Sequence, residues 1–313
     1  MGLRKRIGNL FTGRTTDRRI SRLFRRNATG KPRILRRAEM GKNIAFISTF
    51  WGKGNVVETP FALGRELLAN GFSVALIITA AEGVVFEKIV ARLEALEIPV
   101  SGFTLICRKN TGKDFGGFKD VFHLFRDEIA AAEKVFIGND SLVGPLFQSD
   151  YFERIRNATD GLWGPTESFD RAYHLQSSHL IFSGAKAIKA AQAFFDQYLY
   201  YRNRENIVRY GEVHLTSFCR AAGCKVQCLY PTGLLARRKT SDRMSGRKVE
   251  LWLDTNPQHF FFDALLDEDF PFVKRELLEK NPLGIKNVYP KIIARMEERG
   301  QSPDVLFGHF RPL

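Results

Sequence analysis

Four near-continuous apolar runs constrain this chain most: Asn43–Phe50 (NIAFISTF), Ser73–Ala80 (SVALIITA), Phe103–Cys107 and Lys134–Gly138. Between them lie stretches of helical character, Val57–Ala69, Phe86–Leu96 and Phe118–Ala132, the first stopped by Asn70–Gly71. Strands without polar alternation need cover on both faces, and helices of this length supply it. The pattern predicts an α/β fold, a mostly parallel sheet sandwiched by helices. Ligands on such sheets bind beyond the carboxyl ends of the strands, so chemistry is expected in the loops after the third and fourth runs. Further on, a strand at His179–Ser183, helices at Ala187–Tyr201 and Glu212–Ala222 and a strand at Lys225–Tyr230 are expected. Residues 236–248 read as a loop, and 256–313 as a helical segment rich in Phe.

The net charge of +14 is concentrated at one end. Residues 1–42 hold fourteen Lys and Arg against two acids, Asp17 and Glu39, so the remaining body is close to neutral. Nucleic-acid-binding enzymes carry basic surface on the folded body, so a basic-tail nucleic-acid binder is the weaker alternative and no nucleic acid is expected. Within the tail, Ile7, Leu10 and Phe11, and again Ile20, Leu23 and Phe24, fall at i, i+3, i+4 with arginines opposite. Such pieces suit an anionic membrane surface. A disordered basic extension and an Arg-rich transit peptide are the competing readings. No run reaches the length of a membrane-spanning helix, and no apolar signal core is present. The expected location is therefore cytoplasmic, peripheral to the inner face of the membrane. Cys107, Cys219, Cys224 and Cys228 lack the paired C-x2-C spacing of a zinc site and read as buried thiols.

Two loops carry the chemistry. The first, NTGKDFGGFKD, opens a helix directly after a strand. Gly112, Gly116 and Gly117 allow close backbone approach, and the helix N-terminus suits anions. Lys113 and Lys119 can contact phosphate, while Asp114 and Asp120 can accept from a base, a ribose or a sugar. A glycine-rich turn with a capping aspartate fits the same residues. The second, Gly138-Asn139-Asp140-Ser141 followed by Gly144-Pro145, closes the fourth strand. A carboxylate there can hold a divalent cation that bridges a diphosphate, and a simple turn is the alternative.

Together with WGPTES (163–168), HLQSSHLIF (174–182), YGEVHLT (210–216) and NPQHFFFDALLDEDFPFVKRELLEKNP (256–282), these loops make the chain resemble the rhamnan synthesis protein F family of polysaccharide glycosyltransferases. The resemblance runs over roughly residues 43–285. It implies a GT-A-like transferase domain over 43–235, preceded by the 1–42 extension and followed by a 236–313 segment packed on it. It also implies a nucleotide-sugar donor, with dTDP-L-rhamnose the candidate it points to, and a glycan or lipid-linked glycan acceptor. A nucleotide-sugar-binding protein without turnover is the other reading.

Comparison with large GT-A families assigns roles. Their donor loop places nucleotide contacts on Asn110, Gly112, Lys113, Asp114, Phe115 and Gly116, with Gly117, Lys119, Asp120, Asn139 and Ser141 completing the donor set. Their D-x-D metal motif falls on Gly138-Asn139-Asp140, so Asp140 alone remains to support Mg2+ or Mn2+. Lys or Arg can neutralise a diphosphate instead. The base register, with Leu three and Gly eleven residues on, puts Glu212 on the catalytic position through Leu215 and Gly223. Trp163, Thr166, His174, Gln176 and His259 are the acceptor-side candidates.

Overall fold

The computed structural model describes residues 32–51, 58–80, 91, 93–94, 101–240 and 256–308. Most of the tail, most of the helix expected at 86–96, and much of the loop expected at 236–248 lie outside the described residues. The first three parallel strands form where expected: β2 (Asn43–Trp51), β3 (Ser73–Ala80) and β4 (Phe103–Lys109). Preceding them, β1 (Arg33–Arg36) lies within the segment read as tail, yet it pairs antiparallel with β4 at the sheet edge. After them come β5 (Lys134–Asn139), β6 (Leu142–Val143), β7 (Gly161–Gly164), β8 (Glu167–Ser168), β9 (His174–Leu175) and β10 (His179–Ser183). The last two strands are β11 (Val226–Cys228) and β12 (Val273–Lys274).

Eight strands make one sheet in the order β1-β4-β3-β2-β5-β10-β7-β11. Strands β4, β3, β2 and β5 run parallel, β10 opposes its neighbours β5 and β7, and β11 is parallel to β7. Neighbouring residues of β2 separate the two layers that cover this sheet. Ala45 and Ile47 join a core with Phe61, Leu67, Phe152 and Phe272, whereas Ile44 and Phe46 join Phe118, Phe122, Phe182 and Phe195 on the other face. Period-two alternation thus sends these β2 side chains into apolar layers on both faces, which is why the run contains no polar alternation.

The helices depart from expectation where local packing overrides propensity. Thr59–Ala69 follows the expected course, with Pro60 in its first turn. The helix expected from Phe118 starts at Lys113, runs to Leu124, and is separated at Phe125 from a second piece, Arg126–Ala131. Its glycines are poor helix formers, yet a Cβ at Gly116 would clash with the Thr111 carbonyl oxygen. The helix Ala185–Gln197 follows β10. The helix expected from Glu212 begins earlier: a short helix Arg204–Ile207 and a π-helical turn Val208–Val213, which carries Glu212, lead into an α-helix His214–Ala221. Residues 232–240 are helical, so the start of the expected 236–248 loop is helix.

The C-terminal segment contributes to a small separate core, in which Phe262, Leu266, Ile292 and Met296 meet Val143 and Phe147 of the main domain. It joins the main domain through β12, which pairs antiparallel with β6. Among the described residues no helix is long and apolar enough to cross a membrane.

Candidate active site

The sheet order reverses between β2 and β5. Loops diverge there and leave a crevice. A cavity of about 340 Å3 opens at this point, walled by Thr49 and Phe50 near the end of β2, Thr79 from β3, Asn110 after β4, and Asn139 and Asp140 at the end of β5. Asp140 ties the crevice together. Its Oδ2 accepts from the Thr49 hydroxyl at 2.9 Å and from the Phe50 backbone N–H at 3.0 Å. Phe50 is 47% exposed, an unusual position for a phenyl ring beside a buried sheet.

A second cavity of about 300 Å3 adjoins the first, and both are lined by Lys113, Asp114, Asn139 and Ser141. Its far wall carries Glu212, Arg204, Lys274, Arg275 and Glu276. Asp114 opens the helix Lys113–Leu124 and sits on the boundary between the cavities. Its Oδ1 accepts from the Phe115 N–H at 3.0 Å and its Oδ2 from the Asn139 amide at 2.9 Å. Asp114 keeps some exposed surface, but its carboxyl is closely enclosed by protein. Burial raises its pKa, against the Phe115 hydrogen bond, and the Glu212 and Asp140 charges push it the same way.

Glu212 lies in the π-helical turn, where one extra residue per turn re-aims a side chain. The backbone N–H of Ser177 donates to its Oε1 at 2.8 Å. Gly211 permits this placement, because a Cβ there would come within 2.9 Å of the Phe115 ring. The helix Lys113–Leu124 and the turn that carries Glu212 are therefore in direct contact.

Two cations enter from the C-terminal segment. Lys274 Nζ donates to Ser141 Oγ at 3.1 Å, and Arg275 Nε donates to the Asp140 carbonyl at 2.9 Å. The Arg275 backbone N–H also donates to the Ser141 carbonyl at 2.9 Å. Burial lowers the Lys274 pKa, while Glu212 and Glu276 act to raise it.

Other candidates from the sequence stand elsewhere. Gly112 caps the helix in the left-handed region at φ 75°. Gly116 and Gly117 face the Thr111 carbonyl and the Ile77 and Ser48 side chains, not the cavities. Lys119 is buried and donates to the carbonyls of Phe195 and Asp196 at 2.6 and 3.0 Å. Asp120 accepts from Arg108 Nε at 2.6 Å and from the Tyr200 hydroxyl. On the acceptor side, Thr166 and Gln176 are buried and bonded to each other at 2.7 Å, with Gln258 donating to Thr166 at 3.0 Å. Trp163 donates to the Thr159 carbonyl at 2.7 Å, and His174 Nδ1 lies 2.8 Å from the Ala172 carbonyl. His259 is buried behind Glu276, its Nε2 3.9 Å from Oε2. Burial and the Lys274 charge pull its pKa down to about 4.

The sequence profile of one family matches residues 94–303, a span that takes in the helix shared by both cavities, the π-helical turn and the C-terminal cations. The chain belongs to the rhamnan synthesis protein F family. Among curated relatives of this family member, virulence protein VirA of Vibrio anguillarum is 27% identical over 203 residues, covering 59% of this chain and 65% of its own length. An uncharacterized protein, y4gN of Sinorhizobium fredii, is 28% identical over 153 residues, covering 46% of this chain and 40% of its own length.

Thr49, Phe50, Thr79, Ser177, Arg204, Lys274 and Arg275 line the site and escaped the sequence reading. For Lys274 and Arg275 a signal existed, because two cations directly follow the apolar Phe270-Pro271-Phe272-Val273 within the C-terminal motif. For Arg204 none did.

Proposed function

We propose that this protein is a GT-A-type glycosyltransferase that moves a sugar from a nucleoside diphosphate donor to a growing cell-surface polysaccharide or lipid-linked glycan, with inversion. One observation carries this reading: Glu212, held by the Ser177 N–H, faces a cavity that shares Lys113, Asp114, Asn139 and Ser141 with the strand-end crevice. The crevice takes the nucleotide, with the Phe50 ring offering a face to the base. The shared residues take the diphosphate and the transferred sugar. The acceptor enters the second cavity, where Glu212 removes its hydroxyl proton as the oxygen attacks the anomeric carbon. dTDP-L-rhamnose is the donor that the family's name favours.

A divalent cation suits this site poorly. Among the described residues no group of three or more His, Cys, Asp and Glu converges as a metal site. A side chain at Gly138, the first position of the expected metal motif, would meet the Phe136 ring at 2.7 Å. The ammonium of Lys274 stands beside Ser141, where a cation would repel it. No step of the proposed reaction runs through a metal.

The test is Glu212→Gln, assayed by release of nucleoside diphosphate in the presence of acceptor. Turnover should fall by roughly 10²–10⁴, the usual worth of a positioned base, while donor affinity survives. Normal turnover in the variant would remove Glu212 from the base role and turn attention to Asp114. Failure of the parent to release nucleoside diphosphate with any acceptor would favour a binding protein without turnover.

A further inference from the structure

We propose that Lys274, with Arg275 bracing the turn beneath it, supplies the positive charge that receives the departing nucleoside diphosphate in place of a divalent cation. The inference rests on the transferase reading and adds to it the means of leaving-group stabilisation.

The geometry begins with a two-residue strand. Pairing of β12 with β6 sets Val273 opposite Val143 and Lys274 opposite Leu142. Both valines are buried in the C-terminal core. Successive strand residues face opposite ways, so anchoring Val273 in that core turns Lys274 toward the cavity. Strand β6 begins two residues after Asp140, so this short ribbon clamps the very turn at which the metal motif lacks its first aspartate. Arg275 fixes the clamp from the main chain, donating from N–H to the Ser141 carbonyl and from Nε to the Asp140 carbonyl. These bonds tie the cations to the Asp140–Ser141 turn before any ligand arrives, which is the preorganisation that makes electrostatic stabilisation effective.

Lys274 has donor capacity to spare for phosphate. An ammonium offers three N–H donors, and Ser141 Oγ takes one. Its carboxylate neighbours, Glu212 and Glu276, line the same cavity and act against burial to hold the proton on the ammonium. In the reaction, the anomeric carbon–oxygen bond to the β-phosphate breaks and its electron pair stays on the phosphate oxygen. The acceptor oxygen bonds to the anomeric carbon, and its proton passes to Glu212. The added negative charge on the diphosphate develops beside Lys274, and the proton leaves on the opposite side.

A lysine that only balances buried carboxylates would fit the same position, and binding measurements on the full chain separate the two roles. Calorimetry is run in EDTA, and again with excess MgCl2 or MnCl2, using dTDP and UDP, with thymidine and uridine as phosphate-free controls. The expected result is diphosphate binding in EDTA that changes by less than about 2-fold on adding metal. Lys274→Met should weaken the diphosphates by about 10- to 100-fold, the worth of a charge-assisted hydrogen bond, and leave the nucleosides unchanged. Lys274→Arg should recover much of the loss. Diphosphate binding that requires Mg2+ or Mn2+ overturns the inference while leaving the transferase reading intact. Equal loss of nucleoside and diphosphate affinity in Lys274→Met also overturns it. Should Lys274→Met fail to fold, the metal arm on the parent protein decides alone. Absence of binding by every nucleotide, with and without metal, overturns the transferase reading and this inference together.

Discussion

Two charged stretches flank the same cleft and spend their charges differently. In residues 110–120, the richest motif in the chain, only the front of the loop faces the cavities. Lys119 reaches into the interior to meet the last carbonyls of the helix Ala185–Gln197, and Asp120 is locked to the buried guanidinium of Arg108. In residues 273–276, which look like an ordinary charged turn, Lys274, Arg275 and Glu276 all line the second cavity. Density of charged and glycine residues in a motif therefore does not measure contact with a ligand. What matters is which side of the backbone is anchored in a core.

The largest effect that would break this comparison is expected at Arg108. Its side chain is 1% exposed and also donates to the carbonyls of Thr111 and Lys113 at 2.5 and 3.2 Å, so it holds the loop from inside. Arg108→Met leaves Asp120 as a largely enclosed carboxylate without its cation, and should cost about 3–5 kcal/mol in urea-induced unfolding. A loss below about 1 kcal/mol would mean that the loop stands without its internal ion pair.

Next comes pH. Folding holds His259 neutral with a pKa of about 4 against an ordinary 6.5, so protonating it opposes the folded state. The stability that this provides is complete above about 6.5 and is lost as pH falls toward 4. Between those values the parent should lose up to about 3 kcal/mol more than His259→Gln, because binding one extra proton in the unfolded chain is worth about 1.4 kcal/mol for each pH unit crossed. Parallel stability curves for the two proteins would show that the C-terminal region bears no such acid sensitivity.

The lysines of the first loop give the finest division. Lys119→Met removes a cation from a helix C-terminus and should cost about 1–3 kcal/mol, with nucleotide affinity per folded molecule unchanged. Lys113→Met, at the cavity wall, should alter stability by less than about 0.5 kcal/mol and weaken nucleoside diphosphate binding instead. Thermal melts paired with calorimetry read both variants. The division between fold and ligand fails if the two exchange behaviours.

Much of the scaffold was legible in the residues because it depends on local pattern. An uninterrupted apolar run admits few fates besides a strand covered on both faces, and β2, β3, β4 and β5 lie where their runs do. Helix limits were less legible near the site. The start at Lys113 depends on the close approach of Gly116 to Thr111, and the π-helical turn around Glu212 depends on Gly211 meeting Phe115. Neither contact has a period that a sequence displays. Arg108 was visible as a charge directly following the buried run of β4, but its partner Asp120 reads equally well as a ligand contact.

By itself the sequence determined the layered α/β scaffold, the position of the crevice beyond its strand ends, and the family, since all three follow from apolar periodicity and ordered motifs. Only the tertiary structure decided which charged residues face that crevice. The reason is that β6 and β12 are each two residues long and lie far apart in the chain, so their pairing carries no local signal. Their register, set by burial of Val143 and Val273, turns Lys274 toward the cleft, while the helix register of Lys113–Leu124 turns Lys119 and Asp120 away from it.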